Sequence, residues 1–107
     1  MPIYNKLVGD QIPEIIERTG KKISTRVLHE EEYITELRKK SFEELREYME
    51  TTTKEDAIEE LADLLEIIHA FSEYHGSSIE VVEQVRQKKA EERGRFKEKV
   101  FLIEVED

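Results

Sequence analysis

The chain has 107 residues, 40% of them charged and 37% hydrophobic, with a formal net charge of −9 and no cysteine. That is one domain's worth of chain, residues 1–107, with too little apolar material for a large core. It excludes a disulfide framework and a thiolate metal site, and the acidic balance argues against nucleic-acid polymers and membrane surfaces.

Residues 1–9 read as an irregular arm with no apolar leader. A short helix follows, with Pro13 in its first turn and Gly20 as its stop. Ile23 to Leu28 carries β-branched residues in partial alternation and reads as a strand. A long helix is predicted from about His29 to Met49, broken by Thr51-Thr52-Thr53. Thr52 with Glu55 has capping-box spacing and starts the next helix, which ends near Gly76. Ser77 with Glu80 repeats that spacing and opens a last helix running to about Gly94. Val100 to Val105 reads as a closing strand. A lone strand leaves its backbone polar groups unpaired, so the two strands are expected to pair with each other or with copies in a partner subunit. The fold class is thus mainly α, a helical bundle with a small two-stranded β ribbon. The modest core favours assembly as a homodimer or homotetramer. No apolar run is long enough to span a membrane, and a cysteine-free chain without a leader fits the cytoplasm.

Four acids stand out. Glu44 and Glu47 lie on one predicted helix, Glu60 and Asp63 on the next, each pair three residues apart and so on one side of its helix. Acidic pairs at this spacing arise often by chance among 26 acids. Their direction is what sets these apart. Glu60 falls among Leu64, Ile67 and Phe71, while Glu59, Glu66 and Glu73 point away. Glu44 shares its stripe with Leu37, Ser41 and Tyr48, while Glu36, Glu43 and Glu50 point away. Glu47 and Asp63 fall at the edges of their arcs. A carboxylate on a core-facing stripe is costly unless it is paired or holds a metal. Magnesium, with manganese as a substitute, takes oxygen ligands and leaves room for substrate phosphates.

Basic residues supply candidates for phosphate contacts: Lys6 in the arm, then Arg86, Lys89 and Arg93 at helical spacing, and Arg95 beyond Gly94. The bland alternative for this stripe is a solvated basic face. Glu66-x-x-His69 has the spacing of di-iron bundles, but one copy only, facing away from Glu60. His29 and His75 sit at helix ends. Phe42, Tyr48, Phe71 and Tyr74 read as core.

Glu43-Glu44-Leu45-Arg46-Glu47, followed after twelve residues by Glu60-Leu61-Ala62-Asp63, resembles the Glu-Glu-x-x-Glu … Glu-x-x-Asp signature of the MazG-like all-alpha nucleoside triphosphate pyrophosphohydrolases. Tyr4-Asn5-Lys6-Leu7-Val8 with Asp10 and Ile12-Pro13-Glu14-Ile15-Ile16 is similar to the opening of that superfamily's small, phosphoribosyl-ATP pyrophosphohydrolase-like branch. Lys88 to Phe96, with Phe101-Leu102, resembles its C-terminal end. The resemblance implies a magnesium-dependent enzyme that cleaves a nucleotide between the α and β phosphates, releasing pyrophosphate. It implies Glu44, Glu47, Glu60 and Asp63 as metal ligands and catalytic residues, in an oligomeric helical fold. The chain departs from the pattern at Gly9 and Gln11, where the branch has arginine and lysine, and at Arg95, often glycine. Two positive charges are absent, which leaves as the alternative a weak or inactive nucleotide-binding module that has kept its acids.

Overall fold

The computed structural model describes residues 2–107. Four helices form: α1 (Ile12–Glu17), α2 (Glu30–Met49), α3 (Lys54–Tyr74) and α4 (Ile79–Arg93). Pro13 sits in the first turn of α1, where a missing N–H is harmless, and Gly20 follows at φ 87°. Helix α2 starts at His29 without a side-chain cap; Glu30, Glu31 and Glu32 meet its positive end instead. Arg26 grips Glu32 through two hydrogen bonds, 2.9 and 3.2 Å, and so fixes the approach to α2.

Both capping positions lie one residue later than the spacing predicts. Thr53, not Thr52, accepts from the Asp56 N–H at 3.1 Å. Ser78, not Ser77, accepts from the Val81 N–H at 3.3 Å. Each site offers two adjacent hydroxyls, and the carboxylate three residues on selects the wrong one. At the far end of α3, Gly76 adopts φ 72°. Ser77 N–H bonds Ser72 O at 2.8 Å and Gly76 N–H bonds Glu73 O at 2.9 Å, a Schellman closure that turns the chain into α4.

Helices α2 and α3 form an antiparallel hairpin across the turn at 50–53, and α4 touches α3 but not α2. The core is small: Ile34 and Leu37 of α2 against Ile67 of α3, with Leu7, Tyr33, Ala70, Phe71 and Tyr74 around them. Phe42, expected in the core, is 73% exposed, since its direction on α2 falls outside the seam.

Among the described residues no strand forms. The expected ribbon is absent: Val100 to Val105 lies open and exposed, and so does most of 23–28. Alternation reports that a segment suits a sheet; it does not supply the neighbour whose N–H and C=O groups complete the ladder. No helix is long and apolar enough to cross a membrane.

Candidate metal centre

The α2–α3 seam changes character along its length. Leu37 and Glu44 are seven residues apart on α2, as are Glu60 and Ile67 on α3, so each acid repeats the direction of a core residue two turns away. Towards the open end of the hairpin the seam is aliphatic; towards the turn it is carboxylate. Glu44 is 7% exposed, Glu47 and Glu60 are half-buried, and Asp63 is exposed. Of the two acids expected at the centre of their arcs, Glu44 is buried but Glu60 is only half-buried, as is Glu47 at an edge.

Oxygens of Glu44, Glu60 and Asp63 lie within 4.8 Å of one another, and so do those of Glu43, Glu44 and Glu47. Glu44 belongs to both groups. The sequence turns Glu43 towards solvent, yet it is half-buried and joins the cluster. A long glutamate side chain can reach along the helix surface to a neighbour at i+4, which a Cβ direction alone does not reveal.

The electrostatics are strained. Glu44 Oε1 has Lys40 Nζ at 3.5 Å. Glu44 Oε2 and Glu60 Oε2 are buried with no hydrogen-bond partner. Burial first, then the neighbouring Glu47 carboxyl, pushes the Glu44 carboxyl up to about 7, with Lys40 pulling the other way. Glu60 is raised too, by burial first and then by the Glu47 carboxyl. An enclosed carboxylate oxygen without a donor is rare in native proteins and calls for a cation or a proton. An all-oxygen donor set of high negative charge fits a hard cation, which Glu44 could hold with Glu60 and Asp63 or with Glu43 and Glu47.

The basic residues divide. Lys6 lines a hollow of about 220 Å³ with Asn5, Lys39, Lys40, Glu36 and Glu43, next to the acids. Lys39 and Lys40 are site neighbours that the sequence did not single out; the signal is Lys40 four residues before Glu44, on the same face. Arg86 and Lys89 line a separate hollow with Val81, Val82 and Val85 on α4, and Arg86 is clamped to Glu83 at 2.8 Å. Arg93 and Arg95 are exposed at and beyond the end of α4. Within one chain the α4 stripe does not join the hollow beside the acids. His69 is half-buried, and its carbonyl accepts the Ser72 hydroxyl at 2.7 Å. No family model, no curated protein sequence and no solved structure matches this chain.

Proposed function

We propose that this chain is a Mg²⁺-dependent pyrophosphohydrolase that cuts a nucleoside triphosphate, or a related nucleotide, at the α–β anhydride to a monophosphate and pyrophosphate, clearing surplus or damaged nucleotides. The observation that carries the reading is the pair of enclosed, partnerless oxygens of Glu44 and Glu60, inside a cluster that also holds Glu43, Glu47 and Asp63. The sequence resemblance to MazG-like pyrophosphohydrolases supports the same reaction.

The divalent ion would supply charge neutralisation and an electrophilic grip on phosphate oxygens. The chain's own residues would do the rest. Glu44 and Glu60 anchor the site from facing helices. Glu47, which lies against both, orients the attacking water and takes its proton as the water oxygen bonds to the α phosphorus and the bond to the bridging oxygen breaks. Pyrophosphate departs with that oxygen. Pyrophosphate release from a panel of ribo-, deoxy- and damaged nucleoside triphosphates, with Mg²⁺ or Mn²⁺, tests this beside Glu60→Gln. Release that disappears in the variant supports it; silence from folded protein across the panel, with nucleotide still bound, leaves the binding-module alternative.

The working unit, in the same proposal, is a homo-oligomer. A compact monomer of this mass, 12.7 kDa, exposes about 6,200 Å², whereas this chain exposes 10141 Å². Its radius of gyration is 18.4 Å against about 13 Å for a compact domain of this length. By helical register Leu45 and Met49 of α2 and Ile58, Leu61, Leu65 and Ile68 of α3 share one side of the seam, all exposed; Glu47 and Asp63 lie on the other. An apolar face of this kind is what association between copies buries. A second copy would also offer a neighbour to the strand-like segment Val100 to Val105.

A further inference from the structure

We propose that the hollow between the N-terminal arm and α2, where Lys6, Lys39 and Lys40 converge, binds the outer phosphates of a phosphate-chain ligand whose inner phosphate lies at the carboxylate seam. This rests on the proposed function and assigns the end of the substrate that leaves.

The chain carries a net charge of −9, yet three ammonium groups meet here against only Glu36 and Glu43. Lys6 forms no ion pair among the described residues, and its Nζ stands 5.9 Å from the centre of the Tyr4 ring. It is held over α2 because Leu7, its neighbour, packs against the Ile34, Leu37 and Ile67 core. Lys39 rests on Glu36 at 3.1 Å, and Lys40 is shared between Glu43 at 3.9 Å and Glu44 at 3.5 Å. The Lys39 side chain is 73% exposed, so its pair with Glu36 is weak, whereas Lys40 is held in a more enclosed place beside Glu44. A phosphate oxygen can therefore displace Glu36 from Lys39 at little cost and gain charge-assisted hydrogen bonds from Lys39 and Lys6, with Lys40 adding its charge from beside Glu44.

Position and size agree. Glu36, Lys40, Glu43 and Glu47 follow one another at spacings of four, three and four residues, a single ridge of α2 running from the hollow into the acidic cluster. Glu43 belongs to both, lining the hollow and lying within 4.8 Å of Glu44 and Glu47. The hollow, about 220 Å³, is smaller than the roughly 300–1,000 Å³ of sites that enclose a drug-sized molecule. It suits phosphate groups and leaves base and sugar elsewhere. The neighbouring cation site and the ammonium groups together balance a polyphosphate's charge, which neither does alone.

Competitive amine acylation of the full-length chain, read by mass spectrometry, tests the assignment with inorganic tripolyphosphate as the probe. With Mg²⁺ present, tripolyphosphate should slow acylation of Lys6 and Lys39 while leaving Lys21 and Lys22 unchanged; orthophosphate should protect them less. The double variant Lys6→Ala, Lys39→Ala should bind tripolyphosphate about tenfold more weakly, a loss of one decade in Kd, with Mn²⁺ binding unchanged by electron paramagnetic resonance. Uniform acylation, or unaltered tripolyphosphate affinity in the double variant, overturns the assignment even if nucleotides are hydrolysed. Protection of Lys6 and Lys39 in a chain that releases no pyrophosphate upholds the subsite and overturns the hydrolase reading alone.

Discussion

Glu44 and Glu60 face each other across the α2–α3 seam, each two helical turns from a buried aliphatic residue of the same helix and each with one enclosed oxygen that nothing bonds. Two like charges in such a place oppose folding. Their removal should therefore separate stability from activity. Glu60→Gln is expected to abolish pyrophosphate release while raising the melting temperature of the cation-free protein. The double variant Glu44→Leu, Glu60→Leu continues the aliphatic seam and should be more stable still, since well-packed apolar replacements of buried charged groups are often stabilising by about 1–4 kcal/mol. Thermal unfolding in a chelating buffer decides it; a lower melting temperature in the double variant would mean the carboxyls are already satisfied.

The pH dependence follows from the same pair. The folded Glu44 carboxyl titrates at about 7, above its ordinary value of 4.5. Below the ordinary value the carboxyl is protonated in both states and its stability contribution is fully present. As pH rises from there through 7, the unfolded chain releases the proton first, and stability is lost. The cation-free protein should thus melt at progressively lower temperature from pH 5 to pH 8. The fall should flatten in Glu44→Gln. Mg²⁺ or Mn²⁺ should stabilise more at pH 8 than at pH 5, because protons compete for the same oxygens. A melting temperature that rises over this interval without cation would contradict the assignment.

Association is open to a direct test. Sedimentation should give a multiple of 12.7 kDa, and Leu61→Lys with Leu65→Glu, both on the exposed apolar side of α3, should lower it. The melting temperature of the unaltered chain should rise with protein concentration, as it does when folding and assembly are linked. A concentration-independent 12.7 kDa species would show that this face stays free.

The helix starts give a local prediction. Thr53→Ala removes the hydroxyl that accepts from Asp56 N–H and should cost about 1 kcal/mol in urea unfolding. Thr52→Ala removes no such bond and should stay within about 0.5 kcal/mol. The reverse order would restore the cap to the position that spacing alone suggests.

Much of this architecture is legible in the amino-acid sequence. The turn residues, glycines and apolar periods place all four helices to within a few residues, because each signal is local. The direction of Glu44 and Glu60 is legible for the same reason: a seam position is fixed by helical period. What stays hidden depends on distant parts of the chain. Glu43 joins the cluster through its side-chain reach, and Lys39 and Lys40 gain meaning only when Leu7 brings Lys6 over them. The strand-like pattern of Val100 to Val105 is real, but a pattern does not name its partner.

The tight turn at 50–53 also carries a kinetic consequence. Glu44 and Glu60 are only sixteen residues apart in the chain, and closing a loop of about ten residues takes on the order of 10–100 ns. The α2–α3 pairing is the most extensive contact in the fold and is closed by a short turn, so it is expected to form in the folding nucleus, with the two carboxyls already close there. Their repulsion then raises the barrier as much as it raises the finished fold. In stopped-flow folding without cation, Glu44→Leu with Glu60→Leu should raise the folding rate and leave the unfolding rate nearly unchanged. The carboxyls proposed to hold a metal would then set the pace at which the chain reaches its native state.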